Sequence, residues 1–209
     1  MLVPQRSEVA VVGHAGEVEP WALVDLAGQV LNGMISHADW FTTFLAAAGD
    51  PDIADKLKAG AELDGHSYRV HLDGFNQLEY LTGEVDESPR FYFFYVTDDG
   101  DLAALRYQNF KFVFLEQRAR GTMQLWMEPM VELRMPKLFN LRTDPFERAD
   151  ITSNTYFDWM LDHAFLFVPA QSFVAEYLQT LVEFPPRQEP ASFSIDKVLA
   201  KLQVGITSS

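Results

Sequence analysis

The sequence predicts an α+β fold, because its hydrophobic period changes twice along the chain. From residue 36 to 83, and again beyond residue 145, apolar residues recur at helical spacing. Between these regions lie short runs of aromatic and β-branched residues separated by turn residues, which is the pattern of antiparallel strands. A hydrophobic fraction of 48 % and 17 phenylalanines are typical of a globular chain with a substantial core.

Three helices are predicted in the first region. The first begins at Ser36–Asp39, which has the spacing of a capping box with Asp in place of Glu, and ends at Gly49. The second begins at Asp50-Pro51 and ends at Gly60, and a short third helix ends at Gly83. The residues expected to face inward are Trp40, Phe41, Phe44, Leu45 and Ala48, then Ile53 and Leu57, then Phe75, Leu78 and Leu81.

The middle of the chain is predicted to form about three to five antiparallel strands. The run Phe91–Val96 is expected to be a strand buried on both faces, because it is continuously aromatic and β-branched. The alternative, a platform for base stacking, is disfavoured because the run lacks interleaved Lys and Arg. Thr97–Asp101 carries the Asp-Gly signal of a hairpin turn. The further strands expected are Leu102–Tyr107, Phe110–Glu116 and Lys137–Leu141, with Thr122–Leu133 as one more.

The last third is predicted to be helical. Pro169 is expected to kink or break the main helix, which ends at Phe184–Pro186. Ser192–Ser194 is expected to cap a final helix, and a short strand is expected near the start, at Val9–Val12. The inward-facing residues predicted are Trp159, Met160, His163, Phe167, Val174, Tyr177, Leu178 and Leu181, then Ile195, Val198, Leu199 and Leu202.

Composition excludes several classes of function. The 209 residues contain 16 Lys+Arg and 30 Asp+Glu, a net charge of −14, which repels nucleic acids and anionic membrane surfaces. The absence of cysteine excludes disulfides, thiolate zinc sites, iron–sulfur clusters and a Cys nucleophile. Neither a signal peptide at Met1–Glu8 nor a membrane span at Phe165–Leu181 is expected, and the localisation stays open.

The candidate binding residues are His66 and His71, which lie in a polar loop between two predicted Asp-Gly turns, Asp64-Gly65 and Asp73-Gly74. The segment is interpreted either as a metal or substrate loop of His and Asp or as a solvated connection. Another candidate, the acidic cluster Asp98–Asp101, is too short for a calcium loop and is interpreted as a turn. No histidine pair has zinc-ligand spacing, and no nucleotide-binding or serine-hydrolase motif occurs. The residues themselves therefore predict no catalytic or metal-binding group.

Four segments along the chain together carry a family resemblance. They are Gln29–Gly49, then Asp64–Ser67 with Leu81–Gly83 and Ser88–Arg90, then Ala104–Val113, and then Lys137–Ile151. In this order they resemble the C-terminal part of bacterial type I sulfatases, the arylsulfatase family of the alkaline-phosphatase-like superfamily. The first segment has Thr42 where the family usually has proline, and the last has Asp150 at the usual asparagine.

The resemblance implies a fragment of an alkaline-phosphatase-like α/β fold with a small antiparallel C-terminal sheet packed by helices. Residues 1–28 match poorly, 29–96 would be the end of the catalytic domain, and 97–209 the C-terminal sheet with long helices. In this interpretation Phe91–Val96 returns to the large catalytic sheet.

Family members hydrolyse sulfate esters with a formylglycine made from a Cys/Ser-x-Pro-x-Arg motif, and with calcium. In this chain Leu2–Arg6 has only the x-Pro-x-Arg spacing, with Leu2 at the nucleophile position. Neither formylglycine nor calcium is therefore expected in this chain. Both are expected in a full-length family member.

Three hypotheses follow for function. The first is the C-terminal portion of a sulfatase, inactive alone. The second is a non-catalytic binding or assembly module, in which the edge at Phe91–Val96 pairs with a second copy or a complementary subunit. The third is an unrelated hydrolase that uses His66, His71 and nearby carboxylates.

Overall fold

The computed structural model describes residues 28, 30–119 and 121–186. The predicted strand at 9–12 and the predicted helix at 192–202 lie outside the described residues. The described residues divide between two compact units, with the boundary between Phe91 and Tyr92. Each unit is α+β, as the sequence predicts.

The first unit contains three helices and one hairpin. Asp64 and Gly65 form the hairpin turn, both with positive φ (51° and 75°), which is the conformation that an Asp-Gly pair favours in a two-residue turn. Its elements are α1 (Asp39–Ala47), α2 (Ile53–Ala59), β1 (Ala61–Leu63), β2 (His66–Tyr68) and α3 (Leu78–Thr82).

The buried face of α1 differs from the prediction. The buried residues are Asp39, Thr42, Thr43 and Ala46, whereas Phe41 and Phe44 are exposed. Trp40 stacks on Phe44, with ring centroids 5.4 Å apart. The helix turns its polar side inward because that side supplies the hydrogen bonds described below. In α2, by contrast, Ile53 and Leu57 are buried as predicted.

Gly74 is required by a close approach, not by a turn. Residues 69–77 contain no helix or strand. A Cβ on Gly74 would lie 2.2 Å from the carbonyl oxygen of Ala38, at the start of α1. The second of the two predicted Asp-Gly turns is therefore a packing position against the helix.

The second unit is built on a four-stranded antiparallel sheet of order β3-β4-β5-β6. The register pairs Tyr92 with Tyr107, Tyr107 with Phe110, and Phe110 with Asn140. The strands are β3 (Tyr92–Val96), β4 (Leu102–Tyr107), β5 (Phe110–Glu116) and β6 (Val131–Asn140).

Two strand predictions are corrected. The run Phe91–Val96 does not lie in a separate large sheet, because β3 pairs with β4 at one edge of the four-stranded sheet and is only half-buried. Aromatic composition alone does not distinguish a central strand from an edge strand that one helix covers. The predicted strand Thr122–Leu133 begins only at Val131, and the short helix α4 (Gln124–Met127) precedes it.

Helices cover one face of the sheet. Pro169 does not break a helix, because it lies in the first turn of α7, where the missing N–H costs no helical hydrogen bond. The helical region after residue 155 is instead interrupted at His163–Leu166. The core joins Leu105, Phe112 and Leu138 of the sheet to Met160 and Ala170 of the helices. The helical elements are α5 (Ala149–Thr152), α6 (Tyr156–Asp162), a 3₁₀ turn (Ala164–Leu166) and α7 (Phe167–Glu183).

Among the residues that the structure describes, no helix combines the length and the apolar character needed to cross a membrane.

Candidate functional site

A buried ion pair joins Asp39 and Arg90 in the first unit. Neither side chain is more than 4 % exposed. Arg90 Nε donates to Oδ2 of Asp39 at 2.8 Å and to Oδ1 at 3.1 Å, and Nη2 also donates to Oδ1. Three more donors reach the carboxylate: the N–H of Ser36 at 2.9 Å, the N–H of Phe75 at 2.8 Å and the amide of Gln77 at 3.0 Å.

These bonds control the charge of Asp39. Burial by itself raises the pKa of the carboxyl, but the hydrogen bond from Arg90 and the backbone N–H groups of Phe75 and Ser36 outweigh it and hold the pKa below its usual value. The carboxylate is therefore ionised at neutral pH and saturated with donors. A group in that state holds the fold together and is unsuited to proton transfer.

Sequence reasoning found half of this cluster. The capping prediction is right in that the N–H of Ser36 donates to the Asp39 carboxylate. It is wrong in that the helix begins at Asp39 with Ala38 as its N-cap, and the N–H of Asp39 donates to the carbonyl oxygen of Ser36, not to its hydroxyl. The pairing with Arg90, 51 residues away, has no periodic signal. Its only trace in the sequence is that Ser88–Arg90 belongs to one of the segments that carry the family resemblance.

The structure places both histidine candidates in the first unit. His66 is exposed on β2, and its Nδ1 lies 2.9 Å from the carbonyl oxygen of Asp64. His71 lies in the segment without regular structure, and its Nδ1 lies 3.4 Å from Oδ1 of Asp73. Each histidine thus contacts an aspartate of its own segment.

The acidic turn Asp98–Asp101 connects β3 to β4. The N–H of Gly100 donates to the carbonyl of Thr97, and the N–H of Thr97 donates to the carbonyl of Asp101, so backbone bonds account for its shape. Among residues 28, 30–119 and 121–186, no group of three His, Asp or Glu side chains is placed to hold a metal ion.

The second unit has a partly open cavity of about 250 Å³ between the end of β6, α5 and α6. Phe139, Tyr156 and Trp159 supply aromatic surface. The polar groups come from the turn after β6 and from the start of α6: Asn140, Thr143, Asp144, Ser153 and Thr155.

Two of the cavity residues have fixed roles in its walls. Asp144 accepts hydrogen bonds from the N–H groups of Arg148 (3.0 Å) and Ala149 (2.8 Å), which caps α5. The hydroxyl of Tyr156 accepts from the N–H of Leu138 at 3.2 Å. Burial raises the pKa of Tyr156, so its hydroxyl is protonated at neutral pH. Sequence reasoning missed this cavity, because its walls come from separate segments.

A charged triad lies near the cavity. Lys137 Nζ donates to Oδ2 of Asp150 at 2.6 Å and to Oε1 of Glu116 at 2.8 Å. Burial alone lowers the pKa of Lys137, but the hydrogen bonds to the two carboxylates outweigh it and raise the pKa. Oδ1 of Asp150 is buried and has no hydrogen-bond partner. The triad joins β5 and β6 to α5.

Comparison with solved structures finds a crystal structure of PsFucS1 sulfatase from Pseudoalteromonas sp., with a TM-score of 0.53 and 21 % sequence identity. The match covers 77 % of this chain and 28 % of the sulfatase chain. No protein-family model matches the chain, and no curated protein does. At this identity the likeness shows the fold alone: the chain has the α+β fold of a part of a sulfatase. This confirms the predicted α+β fold class.

Proposed function

We propose that the chain is the C-terminal portion of a sulfatase-like sulfate-ester hydrolase and is inactive alone. One observation carries the proposal: the fold matches about a quarter of a sulfatase chain, 28 % of its length. The order of the four segments from Gln29 to Ile151 supports the same assignment.

The expected inactivity follows from the chemistry. Transfer of a sulfuryl group needs an activated oxygen nucleophile and positive charge around the equatorial oxygens. The sequence has no cysteine, and no serine stands at the first position of a Ser-x-Pro-x-Arg motif, so it offers no formylglycine precursor. Among the described residues of the first unit, the one fully buried carboxylate, Asp39, is bonded to Arg90.

The test is an assay of the purified chain with nitrocatechol sulfate, with and without calcium. No turnover is expected in either condition. Calcium-dependent turnover that persists through a second purification and tracks with the protein peak would overturn the proposal. Upstream DNA that continues the reading frame into a Cys-x-Pro-x-Arg codon series is the positive result expected for the sulfatase assignment.

A second candidate function is assembly through a sheet edge. Among the described residues, β3 pairs on one side only, with β4. Tyr92 and Phe94 of β3 contact α7, so the alternate residues Phe93 and Tyr95 lie on the other face. An edge strand with an aromatic outer face is able to add a strand from another chain.

The assembly function predicts a concentration-dependent dimer, measured by light scattering on a sizing column. Phe93→Lys should shift the equilibrium to the monomer, because a charge at a sheet edge opposes strand pairing. Glu62→Lys, an exposed position in the first unit, is the control with the same new side chain. A monomer at every concentration in the unmodified chain would exclude this function.

A further inference from the structure

The cavity of the second unit has three aromatic side chains in its walls, and they lie close to one another. The ring centroids of Phe139 and Tyr156 are 5.7 Å apart, and those of Tyr156 and Trp159 are 6.4 Å apart. Phe139 and Tyr156 are buried, whereas Trp159 is half-buried. A small ligand in the cavity therefore lies against aromatic surface that is largely withdrawn from water.

The cavity wall also carries a carboxylate. Among the described residues that line the cavity, Asp144 is the only one whose side chain is charged. Its Oδ1 accepts from the N–H of Arg148 at 3.0 Å, and its Oδ2 accepts from the N–H of Ala149 at 2.8 Å. Backbone N–H groups bring no net charge, and each carboxylate oxygen has a second lone pair. The two bonds thus fix the carboxylate in place without neutralising it.

The charges around the cavity favour a cationic ligand. Burial is the main cause that raises the pKa of Tyr156, and the charges of Asp150 and Asp144 raise it further. The charge of Lys137 opposes these two carboxylates. Oδ1 of Asp150 is buried and has no hydrogen-bond partner among the described residues. Two carboxylates against one ammonium leave the surroundings negative, in a chain whose net charge is −14.

Aromatic rings beside a carboxylate are suited to an organic cation. The face of an aromatic ring attracts an ammonium group within about 6 Å of its centroid, and Trp does so most strongly. A metal ion needs a shell of several oxygen or nitrogen ligands instead. Among the described residues, no three His, Asp or Glu side chains are grouped to supply such a shell. The lining therefore favours an alkylated ammonium over a metal ion.

We propose that the cavity of the second unit binds a small organic cation, an alkylated ammonium group, against Tyr156 and Trp159 with Asp144 as its counter-charge. The volume of about 250 Å³ lies below that of most sites for larger ligands, which suits a small ion. The proposal does not depend on the sulfatase assignment, because it uses only the side chains of the second unit.

The first test uses tetramethylammonium as the probe and the indole N–H signal of Trp159 in a ¹H–¹⁵N NMR spectrum as the readout. The spectrum of Trp159→Phe assigns that signal. It should shift saturably with the probe, while the indole signals of Trp40 and Trp126, which do not line the cavity, should stay in place. A Trp159 signal that does not move would overturn the proposal.

A neutral probe separates charge from shape. tert-Butanol resembles tetramethylammonium in size and shape but has no charge, so it should bind about tenfold more weakly or not at all. Equal affinities of the two probes would overturn the proposal, because the cavity would then select only a compact apolar group.

Variants of Trp159 test the aromatic wall. Trp159→Leu removes the ring and should weaken the affinity for tetramethylammonium about tenfold. Trp159→Phe keeps an aromatic face and should weaken it less. Isothermal titration calorimetry measures both affinities. Equal affinities of the Leu and Phe variants would overturn the proposal.

Variants of two aspartates test the counter-charge. Asp144→Asn should weaken the affinity about tenfold. Asp98→Asn makes the same change of net charge in the exposed turn after β3 and should leave the affinity unchanged. Equal weakening by both would show that the net charge of the chain attracts the probe, which would overturn the proposal. Asp144 also caps α5, so backbone NMR signals check the fold of its variant; if that variant unfolds, the Trp159 variants decide.

Discussion

Arg90 and Asp39 bond through two nitrogens and two oxygens, with Nε 2.8 Å from Oδ2, and both side chains are buried. The pair connects the first residue of α1 to the segment before β3, across 51 positions of sequence. Asp39 also accepts from the backbone N–H groups of Ser36 and Phe75 and from the side-chain amide of Gln77. Arg90 also donates to the carbonyl oxygen of Asp73. The pair therefore connects the start of α1 to residues 73–77 and to residue 90.

Arg90→Met should destabilise the first unit by about 3–5 kcal/mol, because it leaves the Asp39 carboxylate buried without its counter-charge. The free energy of unfolding in urea, followed by circular dichroism, measures the change. Arg142→Met, at an exposed arginine, is the matched control and should change the free energy by less than about 0.5 kcal/mol. Equal effects of the two substitutions would show that the buried pair contributes no specific stability.

Acid should weaken the first unit through Asp39. The folded-state pKa of Asp39 lies below its unfolded value, which is about 3.9. The stabilisation is therefore fully present above that unfolded pKa and is lost as the pH falls through the folded pKa. Urea unfolding between pH 2 and pH 6 should show this loss in the parent protein and a flatter profile in the double variant Asp39→Asn, Arg90→Met. Profiles of the same slope would contradict it.

Gly74→Ala should destabilise the first unit by about 1–3 kcal/mol, the usual range for overpacking. The new Cβ would lie 2.2 Å from the carbonyl oxygen of Ala38, and backbone atoms of α1 would have to move. Thermal unfolding measures the effect, with Glu79→Ala as the control at an exposed helical position. An unchanged melting temperature in the Gly74 variant would contradict a requirement for glycine at this position.

Lys137→Met should destabilise the second unit by about 1–3 kcal/mol, since Asp150 and Glu116 each lose a charged hydrogen-bond donor. The side chain of Lys137 is 26 % exposed, which places the value below that of a fully buried pair. Lys58→Met, at an exposed position in α2, is the control. A loss of stability in the control as large as in Lys137→Met would argue against the triad.

Hydrophobic spacing predicts the helices and strands correctly where apolar side chains form the buried face. Ile53 and Leu57 of α2 are buried, and β5 spans Phe110–Glu116, as their spacing indicates. The apolar spacing gives the wrong buried face for α1. The face that carries Asp39 is buried because its hydrogen-bond donors lie there, and Phe44 on the other side of the helix is exposed. No local rule finds a partner 51 residues away, so the position of Arg90 follows only from the tertiary structure.

Short apolar runs give the least secure predictions. Thr122–Leu133 has the composition of a strand, yet Gln124–Met127 is helical, because four residues carry no decisive period. The sequence also does not predict the cavity beside Trp159, because its walls come from the end of β6, the following turn and two short helices. A cavity formed by several separate segments cannot be recognised from any one of those segments alone.

The hydrogen bonds around Asp39 also set how slowly the first unit exchanges its amide protons. Phe75 and Gln77 lie in a segment without helix or strand, yet the N–H of Phe75 donates to Asp39 and that of Gln77 donates to the hydroxyl of Thr43 at 3.0 Å. Amide protons held in this way exchange with solvent only when the cluster opens. These two should therefore exchange as slowly as amides inside α1, and at a common rate with them. A stretch of irregular backbone then belongs to the same cooperative unfolding unit as the helix it contacts.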